Sequence, residues 1–170
     1  ALILVNEESK VGNNESNDLN YALLVIYLAD INKKLELHTK SEKAICVDCA
    51  GAKAGPGPNG QLSLNKNGVL FLTYQGGARE IWKHILKWRL DSKTNKFLLI
   101  GETYTSEDTL RQEPNTFLDI NYLSLKAEKK IGKKRKIICP IDENFKGIEL
   151  DSYEYDFGAR QAKIGESCKL

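Results

Sequence analysis

Apolar and polar positions alternate with a period of two along most of the chain, and no segment carries a sustained apolar stripe at the 3.6-residue spacing of a long amphipathic helix. The pattern predicts strands joined by short polar turns. A first strand over Ala1 to Val5 precedes an Asn-rich polar stretch, residues 6–18, which reads as an exposed loop. Tyr21 to Leu28 is apolar on both faces, as expected of a strand in a sheet centre. Turn chemistry at Asp30 to Lys33 leads into Leu35 and Leu37, which alternate with Lys34, Glu36 and His38 to give a strand with one wet face.

Leu62 to Leu64 and Val69 to Tyr74 flank Asn65-Lys-Asn-Gly68, an Asn-Gly turn that predicts a second hairpin. Glu80 to Leu90 sets Trp82, His84, Leu86, Trp88 and Leu90 on one face, with Lys83, Lys87 and Arg89 opposite. A polar turn, Asp91 to Asn95, then returns the chain along Phe97 to Tyr104, and Gly76-Gly77 reads as a tight turn, since no helix or Lys-Ser/Thr pair follows it. Thr116 to Leu125, Lys136 to Cys139 and Ser152 to Phe157 are further strand candidates, and Phe157 to Ile164 is a short helix candidate. The expected fold is mainly β, an antiparallel sheet of successive hairpins in a sandwich or open barrel-like arrangement with little helix.

A chain of 170 residues with no clear repeat or linker fits one domain, residues 1–170. The net charge of +2 supplies no strong field for nucleic acid or an anionic membrane. The longest apolar run, Tyr21 to Ala29, is too short to cross a bilayer as a helix. The sequence starts without Met, inside what reads as a strand, so its start is expected to follow processing or trimming.

Four cysteines and no methionine change this picture toward an exported, oxidised protein, against the alternative of four reduced cytosolic thiols. Three pairings are open, and proximity makes Cys46–Cys49 with Cys139–Cys168 the simplest. A redox Cys-x-x-Cys needs a thiolate stabilised by a helix N-terminus or a cation, whereas this one runs into the Gly/Pro-rich stretch 54–60, which favours a structural bridge. Zinc is disfavoured because Cys139 and Cys168 are far apart in sequence.

Only His38 and His84 could act as a base for nucleophilic hydrolysis. His84 shares its face with two tryptophans and reads as a hydrogen-bonded core residue, while His38 reads as exposed. The acid clusters at Glu107-Asp108 and at residues 149–156 lack the spacing of a calcium loop. The strongest charge block is Lys126 to Lys136, which reads equally as a contact for an acidic surface and as a solvated loop or edge strand. It lacks the interleaved aromatics that nucleic-acid binding would use.

The segments Ala22-Leu-Leu-Val-Ile-Tyr-Leu28, Ala44-Ile-Cys-Val-Asp-Cys-Ala-Gly51, Gly68-Val-Leu70, Gly76-Gly-Ala-Arg-Glu-Ile-Trp82 and Phe97-Leu-Leu-Ile-Gly-Glu-Thr-Tyr104 occur in an order that resembles a family of exported Gram-negative proteins without an assigned activity. The resemblance covers about the first 125 residues. It implies export and a β fold, names no catalytic residue, and leaves 126–170 as a protein-specific extension.

Taken together, the residues predict a non-enzymatic periplasmic or secreted binding protein, with no cofactor, metal, nucleic acid or membrane span. The expected partner is another protein, for instance a secreted toxin or envelope enzyme held by an inhibitor or immunity protein. The expected contacts are Asp48 and Lys53 in the Cys46 loop and Lys129, Lys130, Lys133, Lys134 and Arg135 in the basic block. An envelope thiol-redox factor using Cys46 and Cys49 is the alternative from another class. A glycan-binding module would need an exposed Trp82 or Trp88, where alternation predicts both buried.

Overall fold

Strand alternation resolves into two antiparallel meanders in the computed structural model, which describes residues 2–8, 21–47, 49, 61–110, 114–132, 136–156 and 159–168, with 2–8, 114 and 115 described by backbone alone. Strands β1 (Leu2–Glu8), β2 (Tyr21–Ala29) and β3 (Leu35–Cys46) form a three-stranded sheet in chain order. The seven-stranded sheet runs, also in chain order, through β4 (Gln61–Leu64), β5 (Val69–Gly77), β6 (Glu80–Asp91), β7 (Lys96–Asp108), β8 (Pro114–Asn121), β9 (Lys126–Ile131) and β10 (Ile137–Pro140). The described residues contain one α-helix, α1 (Ala159–Ser167), and none long and apolar enough to cross a membrane.

Turns that the sequence marks close these hairpins through their own side chains. Asn65 Oδ1 accepts from the amides of Asn67 and Val69, and Asp91 Oδ2 from that of Thr94, so each turn is satisfied locally. Gly76 and Gly77 are the last residues of β5, and Gly77 takes φ +102°, where a Cβ would lie 1.8 Å from the Glu80 carbonyl oxygen. No other residue type fits there.

One core joins both sheets. Leu24, Ile26 and Ile45 of the small sheet share it with Leu72, Leu86, Trp88 and Ile120 of the large one. Tyr74 ties them by polar contacts as well, since its hydroxyl donates to the Ala44 carbonyl and accepts from the Cys46 amide. The segment after β10 also lies on the large sheet. Leu99 donates to the Ile148 carbonyl and Leu150 to that of Phe97, which continues the sheet along the part of β7 that β8 does not reach.

Several expectations are corrected. Ser152 to Phe157 is no strand where described: residues 153–156 lie outside any strand or helix, with Tyr153 and Tyr155 buried, the Tyr153 amide bonded to the Leu150 carbonyl and the Tyr155 amide to that of Lys43. The strand expected at Thr116 to Leu125 ends at Asn121, whose side chain accepts from the amides of Leu123 and Ser124 and turns the chain into β9. Leu35 and Leu37 are exposed, because β3 meets the core only at its far end, through Ser41, Ala44, Ile45 and Cys46. His38 is half-buried and sets its ring edge-on against Phe97, at 5.7 Å between centroids. The basic block is neither loop nor edge over Lys126 to Lys129, which pairs with β8 on one side and β10 on the other, while Lys130 and Ile131 pair with β8 alone.

Candidate functional site

Cross-strand register carries each side chain into place. On the inner face of the large sheet, His84, Tyr104, Leu118 and Lys129 fall in one row, and Leu86, Glu102, Ile120, Ala127 and Cys139 in the next. Helix α1 is pinned at its far end by the Cys139–Cys168 disulfide, whose partner bond, Cys46–Cys49, lies in the core, with those cysteines 0% and 2% exposed. Among the described residues no three His, Cys, Asp or Glu side chains converge as a metal site.

Helix and sheet meet on a buried polar cluster around Glu102. Its carboxylate accepts from His84 Nε2 at 2.9 Å, from the Tyr122 hydroxyl at 2.7 Å and from Gln161 Nε2 at 3.0 Å. Arg160 Nη1 lies 3.2 Å away, near enough for an ion pair but off the hydrogen-bond direction, while Nη2 pairs with Asp156 at 3.0 Å. His84 Nδ1 and the Tyr155 hydroxyl are hydrogen-bonded at 3.2 Å, and the Gln161 carboxamide touches the same ring. Burial alone would raise the Glu102 pKa, yet the His84 bond and the Arg160 charge outweigh it and hold the carboxyl below its usual value. A carboxylate and an imidazole in contact could exchange a proton, but both are 1% exposed, beneath α1. Their geometry serves to anchor the helix.

The cluster separates two buried phenols. Tyr122→Phe is expected to cost about 1.5–3 kcal/mol, because it removes a hydrogen bond to a charged group. Tyr153→Phe removes a buried hydroxyl that has no hydrogen-bond partner among the described residues and should leave stability unchanged or raise it. Urea denaturation of both variants checks the contrast, and equal losses would contradict it.

Of the residues expected to bind a partner, Asp48, Lys53, Lys133, Lys134 and Arg135 lie outside the described residues. Lys129 and Lys130 are described, and strand alternation sends them to opposite faces. Lys130 is exposed on the outer face, whereas Lys129 turns inward and donates to the Gly165 carbonyl at 2.6 Å and to that of Cys168 at 3.4 Å. Lys129 thus satisfies the last carbonyls of α1, the helix end that favours a cation. Trp88 is buried as expected, but Trp82 is only half-buried.

The outer face of the same sheet is a second candidate. Register aligns Gln75, Lys83, Thr105, Phe117 and Lys130 in one row and Phe71, Lys87, Gly101, Asn121 and Lys126 in another. The side chains of both rows are exposed or half-exposed apart from the Gly101 position, which the Ile120 carbonyl crowds. Lys83, Arg89, Lys126 and Lys130 make no ion pair among the described residues, while Lys87 is paired with Asp119 at 2.9 Å. The face thus combines these cations with two half-exposed rings, Phe71 on β5 and Phe117 on β8, and the row between them carries Asp119 and Glu128, both ion-paired. Comparison with protein-family models, curated proteins and solved structures finds no match to the chain.

Proposed function

We propose that the protein is an exported, non-catalytic module that binds a protein partner of acidic surface through the outer face of its seven-stranded sheet. The observation that carries this reading is the register of cations without an ion pair among the described residues, together with Phe71 and Phe117, on one broad face. Aromatic rings among cations are the composition that anchors and steers protein contacts. Two disulfides support an oxidising compartment, periplasmic or extracellular, in keeping with the resemblance to exported Gram-negative proteins. Its concrete form is an inhibitor or immunity protein that occludes a secreted toxin or envelope enzyme.

The alternatives draw less support. A thiol-redox factor needs a reachable sulfur, and Cys46 and Cys49 are buried; a glycan site on Trp82 or Trp88 needs an exposed ring, and Trp88 is 0% exposed while Trp82 is half-buried.

Affinity capture from an envelope extract tests the proposal, using the wild type and a Lys83→Glu/Lys130→Glu variant of unchanged melting temperature. A protein retained by the first, lost by the second and released by salt is the expected result. Identical capture by both, or catalysis of disulfide reduction at a rate above free thiol, would overturn it.

A further inference from the structure

Beside α1, on the inner face, a groove of about 380 Å³ opens between the helix and strands β7 to β9. That is the size of a small-molecule site. Leu118, Ala162 and the Gly165 backbone give it an apolar floor, while the Tyr104 ring and Thr116 form its sheet side. The hydroxyls of Tyr104 and Thr116 have no hydrogen-bond partner among the described residues, although both side chains are half-buried. Lys129 also lines the groove and has no carboxylate within ion-pair distance among those residues; of its three N–H donors, the two helix carbonyls take two.

Gly165 supplies an independent reason to read the space as a site. It lies within α1 without a positive φ, and a Cβ there would meet nothing nearer than Lys129 Nζ at 3.9 Å and Leu118 Cδ2 at 4.0 Å. Alanine would fit and would favour the helix. The absent methyl leaves open the part of the floor between the lysine and the leucine.

We propose that this groove binds a small carboxylate carrying a flat or branched apolar body. The carboxylate meets the free donor of Lys129 and the hydroxyls of Tyr104 and Thr116, and the body lies on Leu118 and Ala162. Glu166 at the rim opposes a second negative charge, so monocarboxylates are preferred. The site is independent of the protein-binding face, which lies on the other side of β9.

Titration of labelled protein, followed by the backbone amide signals of Leu118, Ala162 and Gly165, tests this with phenylacetate, N-acetylphenylalanine and neutral N-acetylphenylalaninamide. Saturable shifts by the carboxylates, with Kd on the order of 1 mM or tighter, and none by the amide are expected. Binding of both acids points to a peptide C-terminus as the natural ligand, and binding of phenylacetate alone to a free acid. Ala162→Phe, which fills the groove from the exposed helix face, and Lys129→Gln should each weaken binding at least tenfold. Gly165→Ala should raise the denaturation midpoint while weakening binding. No shift with either acid, equal shifts with the amide, or undiminished binding by Ala162→Phe would overturn the proposal; should Lys129→Gln not fold, Ala162→Phe decides.

Discussion

Glu102→Ala is expected to cost about 3–5 kcal/mol of folding stability, because it removes one member of a buried, hydrogen-bonded charge cluster and leaves the others unsatisfied. His84, Tyr122 and Gln161 hydrogen-bond this carboxylate and Arg160 is ion-paired with it, so one truncation strands polar groups from the sheet and from α1 together. Acid should act in the same direction. Burial works to raise the Glu102 pKa, but the His84 bond and the Arg160 charge set it lower in the fold than in the unfolded chain. A carboxyl depressed in this way stabilises the fold above the unfolded value of about 4.3, and its contribution is lost as the pH falls through the lower folded value. Denaturation midpoints taken from neutral pH down to pH 3 should therefore fall for the wild type, and more shallowly for Glu102→Gln, which has no carboxyl to protonate. A loss under about 1 kcal/mol for Glu102→Ala would mean that the cluster does not anchor the helix.

Why this cluster could not be read from the chain is a matter of one residue. Counting alternate positions from Phe97 and Leu99 places Gly101 and Thr103 inward and sends Glu102 to solvent. The register instead pairs Lys87 with Gly101 and Trp88 with Leu99, so Ile100 bulges out and the parity beyond it is reversed. Only a partner strand reveals such an insertion. By contrast, the β4–β5 and β6–β7 hairpins were legible, because Asn65, Gly68, Asp91 and Asn95 specify their turns locally and β6 alternates without interruption. Helix α1 was legible in place but not in extent: Arg160 and Gln161 dock it by polar contacts, which leave no apolar stripe to follow. The same holds for residues 153–156, whose buried tyrosines lie outside any strand or helix. Lys129 and Lys130 look alike in a basic run, and only pairing with β8 and β10 tells the helix cap from the surface cation.

Breaking the Cys139–Cys168 bond by a double substitution to alanine is expected to cost about 3.6 kcal/mol from loop entropy, since the cysteines are 29 residues apart. For Cys46–Cys49, separated by 3 residues, the same relation gives only about 1.6 kcal/mol. The difference should also have a place in the fold. Tyr153, Tyr155, Arg160 and Gln161, which pack over or bond to the Glu102 cluster, lie inside the larger loop. Without the bond, the end of α1 keeps the Lys129 contacts and the Cys168 amide's bond to Ile164, both of which can fray. Amide exchange at Ile164 and Cys168 should then quicken well ahead of exchange in β6, whose bonds are shielded by strands on both sides. If removing Cys46–Cys49 costs more than removing Cys139–Cys168, or if α1 and β6 exchange together in the Cys139/Cys168 variant, the cover is held by its polar anchor and the cross-link adds little to it.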